Sequence, residues 1–425
     1  MKTLLLSLLI TLNLYAQKVD FVENSSSQNV DYNSFYPAIL LKHQINSFQK
    51  LPKNPVFTVS KSGWDSEDVA DPYILVTADS IYLFYDGSFN NHYSVGYAVR
   101  DHDGWNWIKR KQILAPDKIS WRSYHIVAPT LVPGKQLLLY NGNEKDLETG
   151  YQIGLAQKRT SWVYQSSKPV AKLNSASWDY SGNVYQDVVY LPAEKKYKMW
   201  YSGFTGPFAQ IGLMESMDGI KWKKTSSKPV FQLSPGAISP EVIYNGENYT
   251  LYFTHLDLNK GIGTKIESVT SKDGITWTEP KIILRAEDSW EGKKLMRPNL
   301  SFFEGQIHLY YCAQRGGEWN IGEALADVSF VNSGSWVSRA VKKKVKRIIV
   351  KYEQPFQTNI TVKLRKESQN TPIELNLLEN RKEIRLNAYQ SILNTDINPP
   401  FKIEIELQTE NENTSPMIYN LLIEE

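Results

Sequence analysis

Tryptophan recurs along the middle of this chain at a nearly constant interval, and this repeat constrains the fold more than any other feature. Successive members are 55, 60, 55 and 59 residues apart. A unit of this length suits a four-stranded antiparallel sheet with its turns. Asp-Gly pairs precede several of these tryptophans, and such pairs favour tight hairpin turns. The repeated residues are Trp107, Trp162, Trp222, Trp277 and Trp336.

Each repeat also contains an apolar strand that ends in a similar tripeptide. The tripeptides are Tyr85-Asp86-Gly87, Tyr140-Asn141-Gly142, Tyr201-Ser202-Gly203, Phe253-Thr254-His255 and Tyr311-Cys312-Ala313. Helical periodicity is almost absent, so the sequence predicts an all-β fold. Five sheets of this size, repeated radially, are typical of a five-bladed β-propeller. A sandwich also buries alternating residues, but it gives no reason for one fixed repeat.

A change of composition marks the end of the repeat. All 12 tryptophans precede position 337, and all 24 glycines precede position 335. Residues 339–425 still alternate between apolar and polar side chains, which predicts a C-terminal antiparallel β-sandwich. We therefore expect a propeller over residues 51–338, preceded by a lead-in segment, residues 17–50, that packs on a blade.

The first 16 residues read as a secretory signal peptide. Lys2 gives a positive start, the apolar stretch from Leu4 to Tyr15 is too short to span a bilayer, and Ala16 suits cleavage by signal peptidase. A buried N-terminal strand is the alternative. No later stretch approaches ~20 apolar residues, so we expect a secreted or periplasmic protein without a membrane span.

Charge and cysteine content exclude several classes of function. The chain has 48 Lys and Arg against 45 Asp and Glu, and this net charge of +3 gives no reason to predict a nucleic-acid partner. Cys312 is the only cysteine. A disulfide within the chain, a zinc cage of several cysteines and an iron–sulfur cluster are therefore excluded.

Three carboxylates fall at corresponding places in the repeats. In a propeller the first strand of each blade lines the central channel, so residues near the starts of these strands face one pocket. Asp71, Asp187 and Glu241 lie there in the first, third and fourth repeats, and Arg297 lies there in the fifth. Like charges around one channel push pKa values apart, as an acid and base pair requires. The alternative is that these carboxylates pair with Arg297 or cap turns.

These motifs resemble the five-bladed glycosidases of glycoside hydrolase family 43, whose architecture is shared by the fructosidase-type families 32 and 68 and by the family 130 phosphorylases. The resemblance covers roughly residues 51–338. It rests on the Asp71-Pro72 pair, on the run His125-Ile126-Val127-Ala128-Pro129, and on recurring Tyr-Ser-Gly and Ser-x-Asp-Gly-x-x-Trp elements.

The resemblance implies a role for each carboxylate. It implies that Asp71 is the general base, that Asp187 tunes the pKa of its neighbours, and that Glu241 is the general acid. The sequence departs from the family where Pro240 precedes Glu241 instead of following a Glu-Gly pair. Asp187 also lies one residue past the place that an Asp-Pro pair indicates. A one-residue shift turns a strand side chain to the other face, so these two assignments depend on the register.

Aromatic residues near the same strand starts are candidates for stacking on sugar rings. Arg297 and His125 are further candidate substrate-binding residues. Because a tryptophan recurs before most blades, packing between blades is the alternative for the repeated positions. The aromatic candidates are Trp64, Trp121, Tyr185, Phe208 and Trp290.

The sequence predicts neither a metal nor another cofactor. His125 and His255 have no partners at the spacing of metal ligands. Asp65, Glu67 and Asp68 form an acidic loop that lacks an EF-hand pattern. We therefore expect this loop to be exposed to solvent rather than to bind structural calcium.

Together these features predict a secreted glycoside hydrolase that cleaves a poly- or oligosaccharide with paired carboxylates in the propeller channel. The first alternative is a non-catalytic carbohydrate-binding propeller, which the displaced Glu241 permits. The second is a glycoside phosphorylase. Such an enzyme needs a cationic phosphate subsite, and Arg297 is the single residue that indicates one. The position of Glu241 relative to Asp71 separates the hydrolase from the binding module.

Overall fold

The computed structural model describes residues 16–18, 21, 24–32, 38–77, 79–100, 106–145, 150–256, 263–366, 369 and 371–424. Within these residues the regular structure is almost entirely antiparallel β-sheet, which confirms the all-β prediction. Two short 3-10 helices, Ser120–Arg122 and Ser289–Glu291, are the only helices among them. No helix in this part of the chain is long and apolar enough to cross a membrane.

The strands are numbered in chain order. The N-terminal strands are β1 (Ala16–Lys18), β2 (Asn24–Gln28), β3 (Val30–Tyr32), β4 (Ile39–Leu41) and β5 (His43–Lys50). The next group comprises β6 (Asp68–Val76), β7 (Ile81–Phe89), β8 (His92–Arg100), β9 (Trp107–Leu114), β10 (His125–Leu131), β11 (Leu137–Asn143), β12 (Gln152–Lys158), β13 (Trp162–Tyr164), β14 (Gly182–Leu191), β15 (Lys196–Thr205), β16 (Phe208–Ser216) and β17 (Lys223–Lys224).

The remaining strands follow in two groups. The first comprises β18 (Ala237–Tyr244), β19 (Tyr249–His255), β20 (Lys265–Ser271), β21 (Lys281–Arg285), β22 (Leu295–Phe303), β23 (Gln306–Arg315) and β24 (Glu318–Phe330). The second comprises β25 (Ser333–Ser338), β26 (Val345–Glu353), β27 (Thr358–Arg365), β28 (Ile373–Leu375), β29 (Lys382–Arg385), β30 (Ala388–Ile397), β31 (Lys402–Thr409) and β32 (Met417–Glu424).

Five four-stranded antiparallel sheets follow the repeat. The first four have the orders β6-β7-β8-β9, β10-β11-β12-β13, β14-β15-β16-β17 and β18-β19-β20-β21, and the fifth has the order β22-β23-β24-β5. Their first strands contact one another in a ring, because β6 contacts β10, β10 contacts β14, β14 contacts β18, β18 contacts β22, and β22 contacts β6. Apolar side chains pack between neighbouring sheets, as Phe84 of the first sheet and Leu138 of the second illustrate.

The fifth sheet differs from the sequence prediction. Its fourth strand is β5, from the expected lead-in segment, and this strand pairs with β24. Trp336, which continues the period, lies instead in β25, outside the five sheets. There its side chain is fully buried, and its indole Nε1 donates to the carbonyl oxygen of Phe21 at 2.7 Å. A pairing between strands so far apart in the chain leaves no periodic signal in the sequence.

Two larger sheets contain the remaining strands. One has the order β29-β30-β26-β32-β4-β3, with β1 also paired to β32, and the other has the order β2-β25-β31-β27-β28. Val350 and Leu421 of the first and Ile405 and Leu407 of the second belong to one buried apolar cluster. Strands from residues 17–50 therefore complete these C-terminal sheets, and the predicted boundaries at positions 50 and 338 do not coincide with sheet membership. Residues 1–15 of the predicted signal peptide lie outside the described residues.

The seven-stranded sheet contacts the turn at the far end of the first inner strand. Arg385 of β29 forms an ion pair with Glu353, and its Nε donates to the carbonyl oxygen of Thr77 at 3.4 Å. Lys351 lies 3.4 Å from the carboxylate of Asp79 in the same turn. These contacts attach the C-terminal sheets to the end of the inner strands opposite their starts.

Candidate active site

Each of the five inner strands is interrupted near its start by a bulge in the same place. One residue in each bulge has positive φ. The pairing register between the first and second strands of each sheet shifts at the same place. Residues other than glycine rarely adopt this conformation, and a bulge of this kind redirects a side chain. The five residues are Asp71 (φ 51°), Ala128 (55°), Tyr185 (55°), Ser239 (57°) and Arg297 (54°).

Three of these bulge residues meet at one point. The guanidinium Nε of Arg297 lies 3.7 Å from a carboxylate oxygen of Asp71, and the guanidinium carbon lies 5.3 Å from the ring centre of Tyr185. These residues come from the fifth, first and third sheets. The structure thus brings together three of the residues that the sequence selects, and it does so through the bulges.

Asp86, on the second strand of the first sheet, completes this cluster and was missed by the sequence analysis. Its side chain is hydrogen-bonded to that of Asp71, and one of its oxygens accepts the backbone N–H of Ala128 at 3.3 Å. Both aspartates are buried. A signal did exist in the repeat, because the middle position of the tripeptide holds Asp only in the first repeat.

Four of the five middle residues of these tripeptides bond to the positive-φ residue of the next sheet, whereas the hydroxyl of Thr254, in the fourth sheet, has no partner among the described residues. Asn141 accepts the N–H of Tyr185 at 3.0 Å, and the hydroxyl of Ser202 accepts the N–H of Ser239 at 2.9 Å. The sulfur of Cys312 interacts in the same way with the N–H of Asp71. Asp86 therefore occupies a position at which a neutral side chain satisfies the fold, so its carboxyl group exceeds the structural requirement.

Asp187 and Glu241 lie two residues after the positive-φ residues Tyr185 and Ser239, where regular pairing resumes. One Asp187 oxygen accepts the N–H of Val242 at 2.7 Å. The two oxygens of Glu241 accept the N–H of Leu300 at 2.9 Å and the side-chain amide of Asn299 at 3.1 Å. Each carboxylate thus reaches the next sheet. Both therefore lie two residues past the position of Asp71, which for Asp187 is one residue more than the sequence indicates.

Burial raises the pKa of the four carboxyl groups, but neighbouring charges and hydrogen bonds shift each pKa by a different amount. The four groups are those of Asp71, Asp86, Asp187 and Glu241. Arg297 and the hydrogen bond from Asp86 oppose this rise at Asp71. The pKa of Asp86 lies well above its usual range, because burial and then the charge of Asp71 disfavour its ionised form. We infer that Asp86 is protonated and donates to an ionised Asp71.

A second pair, Asp187 and Glu241, is separated in the same manner. Burial raises the pKa of Asp187 to about 6, although N–H groups of Val242 and Val188 oppose the shift. The pKa of Glu241 is well above its usual range through burial and then through the charge of Asp187. Glu241 is therefore the group of this pair that holds its proton at neutral pH.

Arg297 is a buried cation with unused hydrogen-bonding capacity. Its side chain is only 6% exposed, and within the described residues its guanidinium makes no hydrogen bond. Buried guanidinium groups are normally hydrogen-bonded, because their donors lose water on burial. The N–H groups of Arg297 are thus available to oxygen atoms of a ligand.

Polar and aromatic groups also lie at the end of the sheets where the inner strands start. His125 begins β10, its Nδ1 accepts the N–H of Tyr93 at 3.2 Å, and its ring contacts that of Tyr124. The Tyr93 hydroxyl donates to Asp68 at 2.6 Å. Phe208 begins β16 and is 48% exposed, so it is free to contact a ligand.

The repeated tryptophans have a packing role instead. Trp64 stacks on Tyr85 with ring centres 5.2 Å apart, and a Cβ added at Gly96 would come within 2.3 Å of the indole. Trp121 stacks on Tyr140 at 6.0 Å in the second sheet. Trp290 packs against Tyr311 at 5.8 Å in the fifth. Trp64, Trp121 and Trp290 thus make the packing contacts that the sequence analysis gave as the alternative, and sugar binding by these residues stays a prediction.

The acidic loop before Asp71 is exposed only in part, since Glu67 is exposed as predicted but Asp65 and Asp68 are not. Asp65 is buried, accepts the Tyr85 hydroxyl at 2.9 Å and forms a 2.7 Å ion pair with Lys109. Asp68 accepts the N–H of Trp319 at 2.8 Å. Among the described residues, no group of three or more His, Cys, Asp or Glu is arranged to hold a metal ion.

No family model matches this chain, and no curated protein sequence matches it. Solved structures share its fold. A structure described as a glycoside hydrolase is 15% identical, with a TM-score of 0.56 over 65% of this chain and 92% of that chain. A glycosyl hydrolase from Bacteroides ovatus is 17% identical, with a TM-score of 0.52 over 66% and 94%.

A third similar structure was reported under a title on family 130. That title states that this family of mannoside phosphorylases contains glycoside hydrolases that target β-1,2 mannosidic linkages in Candida mannan. It is 15% identical to this chain, with a TM-score of 0.53 over 66% of this chain and 94% of that chain. These likenesses show the fold, and the resemblance to family 43 stays a prediction.

Proposed function

We propose that this chain is a carbohydrate-active enzyme, a glycoside hydrolase, built on a five-bladed β-propeller with a β-sandwich attached. The cyclic contacts of the five inner strands support the propeller, and the two larger sheets with their shared apolar cluster support the sandwich. The similar solved structures include glycoside hydrolases and a family that contains phosphorylases. The substrate is a poly- or oligosaccharide.

The observation that carries this proposal is the buried cluster of Asp71, Asp86, Arg297 and Tyr185 at the bulges. An ionised Asp71 is held by a protonated Asp86 on one side and by Arg297 on the other. In this state Asp71 can accept a proton from water, as a general base in glycoside hydrolysis does. Arg297 can donate to a sugar hydroxyl and fix the ring over the carboxylate.

The paired carboxyl groups of the neighbouring sheets supply the other half of the proposed reaction. Glu241 is the proposed general acid, because burial and Asp187 keep it protonated at neutral pH. Asp187 is the proposed modulator, since its charge raises the pKa of Glu241. This division of two carboxyl groups into an acid and a modulator is what protonation of a leaving oxygen requires.

A second candidate function is a carbohydrate-binding propeller without activity. The bonds of Glu241 favour it, since both of its oxygens already accept N–H groups from the fifth sheet. In that case Glu241 and Asp187 would only join neighbouring sheets, and Arg297 with His125 and Phe208 would hold a glycan. The two functions differ in whether the proton of Glu241 reaches a substrate.

The test is release of reducing sugar from plant, algal and bacterial glycans, with and without inorganic phosphate. We expect Asp71→Asn and Glu241→Gln each to lower the rate by about 100-fold or more. Thr130→Val is the matched control, because Thr130 occupies the Glu241 position in the second sheet and bonds to the Gln186 carbonyl at 2.8 Å. Its rate should stay near that of the wild type.

Three outcomes would contradict this proposal. If the wild type binds a glycan but releases no sugar, the binding propeller is supported. If Glu241→Gln behaves like Thr130→Val, the general acid lies elsewhere. If the wild type releases sugar only when phosphate is present, the enzyme is a phosphorylase.

We further propose that the protein is secreted or periplasmic. The support is the pattern of residues 1–16, with a positive start, a short apolar stretch and Ala16. N-terminal sequencing of the protein from its native host should begin at Gln17. An intact Met1 would contradict this proposal.

A further inference from the structure

A cavity of about 310 Å³ lies on the five-stranded sheet, away from the proposed active site. It is formed where the start of β25, the turn before β27 and the end of β31 meet. All eight residues that line it are polar. We propose that this cavity is a second binding site, and that its ligand is a neutral oligosaccharide. The inference is independent of the proposed hydrolysis.

Several of the lining side chains have hydrogen-bonding groups that the fold does not use. The side chains of Ser333, Gln357, Gln408 and Glu410 make no hydrogen bond within the described residues, and all four are exposed. An amide offers two donors and an acceptor, and a hydroxyl offers both kinds of group. Their convergence on one cavity provides many bonds for a ligand rich in hydroxyl groups.

The backbone that carries these side chains is fixed by hydrogen bonds between the three segments. The Glu410 N–H donates to the carbonyl oxygen of Gln357 at 2.9 Å, and the Thr409 N–H donates to that of Asn332 at 2.9 Å. The Thr358 N–H donates to the Pro355 carbonyl oxygen at 3.2 Å within the turn. The cavity therefore exists before a ligand arrives, which lowers the entropic cost of binding.

The charges of the lining narrow the class of ligand. Glu410 is the only charged residue among the eight, and none of them is a Lys, Arg or His. An anionic glycan, a phosphate or a nucleic acid would meet a carboxylate and no cation. A lipid or another apolar ligand would leave the amides without partners. A neutral sugar chain satisfies both conditions, and this volume lies at the lower end of small-molecule sites, which span roughly 300–1,000 Å³.

An exposed aromatic ring lies in the turn before β27. Phe356 directly precedes Gln357 and is 85% exposed, more than any other large apolar side chain that the structure describes. A ring left in water at a fixed turn contributes nothing to the core. It can pack on the apolar face of a sugar, next to the amides that bind its hydroxyl groups.

The test is affinity electrophoresis of the full-length protein through gels that contain laminarin, arabinan, galactan, arabinoxylan or yeast mannan. The Asp71→Asn background prevents hydrolysis during the run. We expect at least one of these neutral glycans to retard the protein, and we expect anionic polygalacturonate to have no effect. In that gel, Gln357→Ala with Gln408→Ala should lower the affinity by about 10-fold, and Phe356→Ala should lower it as well.

A matched control separates this site from the active site. Gln49→Ala removes an exposed strand glutamine outside the cavity and should leave retardation unchanged. The Gln357 and Gln408 changes, made in the wild type, should not alter sugar release from a short soluble substrate. The proposal is overturned if no neutral glycan retards the protein, or if the cavity variants migrate like the Gln49 control. Neither result bears on whether the wild type releases sugar.

Discussion

Asn299 on the fifth sheet accepts the backbone N–H of Ile74 on the first sheet at 2.7 Å, and this bond joins the last sheet of the ring to the first. The residues at the corresponding position in the second, third and fourth sheets also make a hydrogen bond to the next sheet, with other polar groups. Thr130 bonds to Gln186, Asp187 to Val242, and Glu241 to Leu300. The fold thus requires a polar side chain at this position but not a carboxylate.

The first prediction concerns this joining position. Asn299→Leu leaves the buried N–H of Ile74 without an acceptor and removes the amide donor to Glu241. We expect the free energy of unfolding to fall by about 1–3 kcal/mol for each group left unsatisfied. Urea unfolding followed by tryptophan fluorescence measures this loss. Asn413→Leu, at an exposed turn, should change stability by less than ~0.5 kcal/mol, and an equal effect of both substitutions would refute the joining role.

The second prediction separates the fold from the chemistry at Asp86. An asparagine there can accept the N–H of Ala128 and donate to Asp71, as Asn141 accepts from Tyr185 in the next sheet. Because Asp86 is already neutral at the pH where Asp71 titrates, Asp86→Asn should leave the acidic limb of the pH–rate profile unchanged. Asp86→Ala removes the donor, so the pKa of Asp71 should rise and the acidic limb should move to higher pH.

Measured kcat/KM against pH distinguishes the two Asp86 variants. Equal shifts of the acidic limb in both would show that the charge of Asp86, and not its donated hydrogen bond, acts on Asp71. Unfolding curves serve as the control, since only Asp86→Ala should lose the bond to Ala128.

The third prediction concerns the pH dependence of stability. The pKa of Asp187 is about 6 in the folded protein and about 3.9 in an unfolded chain. The folded state therefore binds the proton of Asp187 more tightly than the unfolded chain does. The stability that protonated Asp187 contributes is fully present below about pH 4 and is lost as pH rises through about 6. At neutral pH the ionised group costs up to about 3 kcal/mol.

Asp187→Asn should flatten this dependence. The difference in unfolding free energy between about pH 4 and about pH 8 should be smaller in the variant than in the wild type. Comparing slopes removes any constant cost of the substitution itself. An unchanged slope would show that Asp187 titrates near its ordinary pKa.

The fourth prediction tests why glycine recurs in the tripeptides. A Cβ at Gly203 would lie 2.3 Å from the indole of Trp178, whereas a Cβ at Gly182 in the same sheet would have no neighbour closer than 3.6 Å. Gly203→Ala should therefore lower stability by about 1–3 kcal/mol. Gly182→Ala should change it by less than ~0.5 kcal/mol in the same urea titration. Equal effects would exclude the contact with Trp178 as the reason for glycine.

Local repetition explains how much of this fold the sequence could predict. The period of the tryptophans and the alternation of strands give the all-β class and the five repeated sheets. They could not give the fourth strand of the fifth sheet, because β5 pairs with β24 across the whole repeat. Trp336 keeps the period although it lies in a strand that belongs to another sheet.

The same contrast holds at the candidate site. Asp71 and Arg297 could be found because each lies near the start of a recognisable inner strand, and both are bulge residues in the structure. The bulge itself could not be predicted, since its residues share no type. Asp86 was overlooked because a second strand does not line a channel in the simple picture of a propeller. The stacking of Trp64 on Tyr85 required side-chain packing that spacing alone does not contain.

The pairing of β5 with β24 also has a consequence during protein synthesis. Roughly 270 residues separate the two strands. At about 5–20 residues per second, the ribosome needs about 15 to 55 seconds to synthesise these intervening residues. Throughout that time β5 lacks the neighbour that it has in the finished protein. We expect the nascent chain to be most open to wrong strand pairing in this interval, so the speed of translation should influence the yield of folded protein.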